Sequence, residues 1–423
     1  MTAEELIAQI EGLIAEYRVP PVPIPTIPTV TPGQPYPDGM FQLVAGETYG
    51  PLVFRSGMHV IGNGAMINGG AQPAIYAPPS TGNIFAENLL LGSTHQSVAL
   101  LGDNSATTQN SLAQVPTGIT LNNLQIPMHR GKRGIEVNAT NVVINNPVIL
   151  DVWSSSAVDS QAICVLNTPG NVMVNGGRLS AGSEVMMIGG DTMKLANTVI
   201  NNVTVQNTEL FRPLSWKTDG VNRVVKNLFE VKAGTDILIR DCILDGCWAS
   251  AQDGWAFVIT PKNSQYIQNV TVRDCTVRNA AGLVQLLGKD YNSVTPQATR
   301  FINFENVNFA VSKITHGGRG IPALMVGGMQ DFSMTNCTGT FDGYCIISSD
   351  SNATYGQHGP VTITGCNMPT GNYGLMADGA NYGDPLPAGS SYTGQELLVS
   401  ITGNTFTGAP TRFRTNFPTN TYL

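Results

Sequence analysis

Trp216, Lys217 and Asp219 are followed within one short stretch by Asp245, Trp248, Asp253 and Trp255. Aromatic rings stack on the apolar faces of sugars while carboxylates bond sugar hydroxyls, so this set reads as a carbohydrate-binding surface. A structural reading competes with it: Trp248 fills a core position and Asp253 opens a turn at Asp253-Gly254. Cleaving a glycosidic bond requires two carboxyl groups about 5 Å apart, or about 6.5–9.5 Å, depending on stereochemistry. Asp241 and Asp274 occupy equivalent places in two copies of a repeat, but an aspartate there also caps its own backbone turn. No residue is therefore assigned as catalytic. The composition calls for no cofactor and no metal.

The repeat that must position these residues is plain around Asp241. Ile237-Leu238-Ile239-Arg240-Asp241-Cys242-Ile243-Leu244 recurs 33 residues later as Val270-Thr271-Val272-Arg273-Asp274-Cys275-Thr276-Val277. Each copy reads strand, bend, strand. The bend position falls on Asn88, Asn123, Asn146, Gly176, Asn207, Asp241, Asp274, Asn306, Asn336, Gly365 and Gly403, with an earlier copy opening at Met58 to Asn63. Asn, Asp and Gly are the residues that tolerate left-handed backbone. A period near 30 with short strands and little helix signal predicts a parallel β-solenoid with about three strands per coil. Eleven or twelve coils stacked at about 4.8 Å give a rod of roughly 55 Å. Cys242, Cys275, Cys337 and Cys366 share the column just after the bend, and read as small buried hydrophobes. Arg240, Arg273 and Arg278 alternate with Asp241, Asp245 and Asp274, as solvated surface pairs would.

Coil length, the Asn/Asp/Gly bends and the opening Gly62-Asn63-Gly64-Ala65-Met66-Ile67-Asn68-Gly69-Gly70 resemble the right-handed parallel β-helix of the pectin-lyase-like superfamily, over nearly the whole chain beyond residue 38. The stretch from Pro213 to Ala256 resembles uncharacterised bacterial β-helix proteins. The resemblance implies an all-β solenoid. It does not imply one activity, because this fold hosts lyases, hydrolases, adhesins and viral spikes. The motifs of its familiar enzymes are not matched. Lys217-Thr218-Asp219-Gly220 keeps part of one polygalacturonase motif, and Asp151-Val152-Trp153-Ser154 keeps only the Val-Trp of a pectate-lyase motif.

Composition narrows the function classes. Charged residues are 12 % and the net charge is −7, which argues against nucleic acid as a partner. No run of 18 apolar residues reads as a membrane span. The start, Met1-Thr2-Ala3-Glu4-Glu5, is acidic where a signal peptide is basic. Seven cysteines show no disulfide-framework spacing. Together these predict synthesis in a reducing cytosol without a signal peptide, with free thiols.

Residues 1–18 place Leu6, Ile10, Leu13 and Tyr17 on one seam of an amphipathic helix, an anchoring or oligomerisation element. Residues 19–38 hold eight prolines and read as an extended arm of some 55 Å. The β-helix is expected over 39–407 and an irregular cap over 408–423. Loops at variable spacings, such as Ala377–Pro385, are further places for binding sites. This organisation predicts a bacteriophage virion protein, a spike or a capsid-decorating β-helix. It would be homotrimeric, joined to other virion proteins through residues 1–38 and displayed on the virion surface, with bacterial surface polysaccharide as its ligand. The alternative is a polysaccharide lyase or glycoside hydrolase of the same fold.

Overall fold

A computed structural model describes residues 27–409 except 155, 157, 291–296, 344, 350–358, 372–373, 378–390, 393–394 and 397–398, together with 414 and 417–423. The amino-terminal helix, most of the proline arm and most of the Ala377–Pro385 loop lie outside the described residues.

Two long parallel sheets wind around one core. A 12-stranded sheet takes one strand from each coil, and a 26-stranded sheet takes two. The three-strand coil expected from the period is thereby the observed one. All twelve bend positions have positive φ, from Asn63 at 54° to Gly403 at 66°. The bend turns the chain between the two strands of the larger sheet, so that Ile237 and Ile239 before it and Leu244 after it all reach the core. Replacing Asn207 (φ 54°) by Ala is expected to cost about 1 kcal/mol more than replacing it by Gly in chemical denaturation. Both variants lose the amide bond to Asn175 Oδ1, and only Ala adds a Cβ that this backbone disfavours.

A second left-handed column was not anticipated. Asn83, Gly118, Asn141, Asn171, Asn202, Asp236, Asn269, Phe301 and Asp331 all have positive φ, each five residues before a bend position. They lie in register, Asn141 beside Asn171 and Asn202 beside Asp236. This column turns the chain into the larger sheet. Its sequence signal was present, as Asn or Asp recurring five residues ahead of the bend.

The core is apolar and stacked by type. Phe229, Phe257, Phe304 and Phe332 follow one another with ring centroids 6.1, 5.5 and 6.1 Å apart. Cys242, Cys275, Cys337 and Cys366 are each at most 1 % exposed, as their column required. Burial raises the Cys275 and Cys337 thiols, after the stronger effect of the cysteine each one faces. The seven cysteines are free. The Arg240–Asp241 and Arg278–Asp245 pairs lie at the surface, as expected.

At the amino-terminal end, parallel pairing begins at Thr29–Val30 against Gln42–Leu43, earlier than the expected start at residue 39. The described end of the arm thus belongs to the terminal coil. At the other end, Thr421–Tyr422 pairs with Thr405–Phe406, so the described part of the tail adds a strand. No helix among the described residues is long and apolar enough to cross a membrane.

Candidate functional site

The outer face of the smaller sheet carries polar residues that are buried. In Gln161–Val165, Glu184–Ile188 and Asn227–Val231 the second and third residues both pack into the core. The first and fourth therefore share the outer face, as the Arg133–Glu136 ion pair at 2.9 Å shows one coil earlier. The first positions run Arg133, Gln161, Glu184, Asn227 and Trp255 along the rod. Gln161, Glu184, Asn227 and Trp255 are each at most 1 % exposed.

Glu184 is the centre of this row. Gln161 Nε2 donates to its Oε2 at 2.7 Å, and Lys226 Nζ lies 3.3 Å from its Oε1. Burial pushes the Glu184 carboxyl up to about 7, reinforced by Glu230 and Asp159 and opposed by Lys226 and Gln161. Burial alone would lower the Lys226 ammonium, but Glu184 and Asp159 hold it above its ordinary value. Asp159 Oδ2 accepts from Lys226 at 2.5 Å, and its side chain is half exposed. Lys226 thus bridges an enclosed acid to one that reaches solvent. Glu230 is likewise buried and paired with Lys232 at 3.0 Å. Asn227 has both amide atoms buried without a protein partner, as are Trp255 Nε1 and Glu230 Oε2.

The loops entering this sheet form a wall along one edge. Arg223 lies 4.1 Å from the Trp216 ring centroid and 5.3 Å from that of Trp153. Arg130 covers Trp153 at 4.7 Å and pairs with Asp151 at 2.6 Å. Asp219 pairs with Arg223 at 2.7 Å. The Val221 amide, and then Arg223, hold the Asp219 carboxyl below its usual range. Farther along, Lys217 Nζ donates to the Thr315 carbonyl at 3.2 Å and lies 6.0 Å from the Trp248 ring centroid. Asp253 faces Arg319 at 3.3 Å. His316 is 8 % exposed, and burial lowers its imidazole below the usual range, with Lys217 acting in the same sense.

The residues singled out from the sequence divide accordingly. Trp216, Lys217, Asp219 and Asp253 stand on the wall. Trp248 and Trp255 are corrections: at 7 % and 1 % exposure neither offers a ring face to a ligand. Trp248 lies beneath Lys217, and Trp255 packs with Val258, Ile321 and Leu324. Asp245 projects from the larger sheet, engaged by Arg278 and Asn279 at 2.7 Å each. Asp241 and Asp274 adopt the left-handed bend, which is the turn-forming role weighed against catalysis. Leu6, Ile10, Leu13 and Tyr17 lie outside the described residues.

Glu184, Lys226, Asp159, Arg130 and Arg223 were not selected from the sequence. The signal for the acids was faint: Glu136 and Glu230 each interrupt an apolar run as Ile-Glu-Val and Phe-Glu-Val. Among the described residues no group of three metal-ligating His, Cys, Asp or Glu side chains occurs. The arrangement can keep a proton on Glu184 near neutral pH and hold a fixed ammonium at the wall. Glu184 itself is enclosed, so it acts on anything outside through Lys226.

No known family profile and no curated protein sequence matches the chain. Solved structures do. A mannuronic acid specific polysaccharide family 6 lyase from human gut microbiota superposes with a TM-score of 0.53 at 10 % identity, over 89 % of this chain and 91 % of that one. A tailspike from Acinetobacter baumannii bacteriophage Fri1, a capsular polysaccharide depolymerase, gives 0.43 at 15 % identity, over 91 % of this chain and 56 % of that one. With three strands per coil, left-handed bends at every level and a superposable lyase of nearly equal extent, the chain has the pectin-lyase-like right-handed parallel β-helix fold.

Proposed function

We propose that this β-helix recognises a polysaccharide along the wall formed by its inter-sheet loops, with Trp216, Lys217, Asp219, Asp253 and Lys226 as the contacting residues. The observation that carries this reading is the edge itself: indole rings, fixed guanidinium and ammonium groups and half-exposed carboxylates succeed one another along the rod. A sugar chain presents apolar ring faces and hydroxyls in the same alternation. An array of purified bacterial surface polysaccharides tests it. Trp216→Ala is expected to weaken the best-bound glycan about tenfold. Unchanged binding in both Trp216→Ala and Lys226→Met would remove the wall from consideration.

The finer reading is a protein displayed on a bacteriophage particle as a spike or decoration, trimeric and attached through residues 1–38. Its support is the sequence of the amino-terminal segment, an amphipathic seam followed by eight prolines. Mass spectrometry of purified particles would find the chain there, with its amino terminus protected from protease. Recovery from cell extracts alone would count against it.

A catalytic reading is favoured by one observation, the Asp159–Lys226–Glu184 relay with its proton-holding acid. Release of reducing ends or of unsaturated products from a bound polysaccharide, lost in Glu184→Gln while binding persists, would establish a lyase or hydrolase.

A further inference from the structure

The geometry points to a second glycan-binding track on the opposite side of each coil, along the left-handed column from Asn141 to Phe301, fitted to a neutral rather than an acidic polysaccharide. The inference rests on the polysaccharide reading above and extends it to a face which that reading does not use.

Two separate features mark the track. The first is a shallow groove of about 360 Å³ on the larger sheet, lined by Asn141, Asn171, Asn202, Val143, Met173 and Thr204. Asn202 Nδ2 donates to Asn171 Oδ1 at 2.9 Å, and Asn141 Nδ2 donates to Thr117 Oγ1 at 3.0 Å. Asn141, Asn171 and Asn202 are exposed, and Asn171 Nδ2, Asn141 Oδ1 and Asn202 Oδ1 have no protein partner among the described residues. Met173 is 37 % exposed beside them. Donors, acceptors and an apolar surface at successive coils match the hydroxyls and ring faces of a sugar chain.

The second feature is Phe301. It holds φ 57° and is the one aromatic side chain with positive φ among the described residues. Every other member of its column from Asn83 to Asp331 is Asn, Asp or Gly. A Cβ-bearing residue without a short polar side chain is strained there. The ring gains no core packing in return, since it is 41 % exposed. Strain kept at a surface position points to a use for the side chain. Phe301 lies in register with Asn269 and Asp331, and through Asn269 and Asp236 with the groove. At about 4.8 Å per coil the ring stands roughly 14 Å beyond Asn202 on the same line. A saccharide residue in an extended chain advances by a similar step, so successive sugars meet successive coils.

Charge selects the ligand class. The column carries Asp236 and Asp331 as its ionisable members, and Arg300, whose guanidinium lies 5.1 Å from the Phe301 ring centroid, is the cation beside it. Between Asn141 and Phe301 the line holds one carboxylate, Asp236, already bonded by Asn201 and Asn269, and one guanidinium, so it offers no excess of cations to a polyuronate, while the amides and the ring suit uncharged hexoses.

Affinity electrophoresis in gels containing galactomannan, dextran or polymannuronate tests this with the full chain. The wild-type protein is expected to be retarded by at least one neutral glycan. Phe301→Asn and Asn171→Gly both keep the left-handed backbone, so both should fold, and both should migrate freely in that gel. Phe301→Asn should also melt at or above the wild-type temperature, because Asn suits the column. Loss of binding beside equal or greater stability is the supporting result, since a purely structural role would not produce it. Wild-type retardation in both variants overturns the track. Retardation by polymannuronate alone, relieved by Trp216→Ala, overturns the track and leaves the wall reading standing. Retardation by none of the three polymers overturns the track together with the reading it rests on.

Discussion

Arg212→Ala is expected to lower the free energy of unfolding by about 4 kcal/mol, a large effect for one side chain. The Arg212 guanidinium is 2 % exposed and serves as a staple between coils. Its Nε donates to the carbonyls of Ala181 and Gly182 at 2.8 and 3.0 Å. Its Nη2 donates to the carbonyls of Ser183 and Asn227, and Nη1 approaches Cys247 Sγ at 3.5 Å. Burial pulls the guanidinium below its ordinary value, with Cys247 and Glu184 opposing. An arginine nonetheless stays protonated. Alanine would take this donor from the Ala181, Gly182 and Asn227 carbonyls, while the Ser183 carbonyl keeps the Lys226 and Asn227 amides. Each carbonyl left unpaired costs about 1–3 kcal/mol, less whatever relaxation or entering water recovers. Lysine keeps the charge but cannot spread donors over the same fork, so Arg212→Lys should fall between the two. Denaturant titration of all three proteins reads the effect. A loss below about 1 kcal/mol in Arg212→Ala would show that the turn holds without its staple.

Glu184→Gln is expected to stabilise the protein at pH 8 and to leave it unchanged at pH 4. The folded carboxyl titrates at about 7 against an ordinary 4.5, so folding favours its protonated form. Below pH 4.5 both states are protonated and nothing is lost. As pH rises from 4.5 to 7 the unfolded chain releases the proton first, and stability falls. Above 7 the loss is complete, about 3 kcal/mol by linkage. Gln keeps an acceptor for Gln161 and carries no charge, so it removes that dependence. Thermal melts of both proteins from pH 4 to 8 should coincide at the acid end and separate with rising pH. Parallel curves would mean that the Glu184 carboxyl titrates alike in the folded and unfolded chain. If the wall is catalytic, the same variant should also alter the pH profile of turnover through Lys226.

The architecture was legible because it depends on local backbone preference. Asn88, Asn207, Asp241 and their counterparts turn the chain by adopting a left-handed φ, a property of the residue type. Repetition of that type fixes the coil, and the alternation around it sends Ile237 and Leu244 inward. The cysteine column follows from the same register. The five-residue partner of the bend, Asn202 ahead of Asn207, was equally local and could have been read. Phe301 could not, since its strain appears only once its column is seen to turn left-handed.

The site was set at longer range. Glu184, Lys226 and Asp159 come from three different turns of the chain and meet only because parallel coils stack in register. Alternation also misleads on the smaller sheet, where two consecutive residues face inward and charged side chains end on a covered outer face. Trp216 and Trp248 look alike in sequence, yet one stands on the wall and the other is buried. The residue type sets how a coil bends, whereas the exposure of an outer-face side chain depends on which loop from a neighbouring coil lies over it.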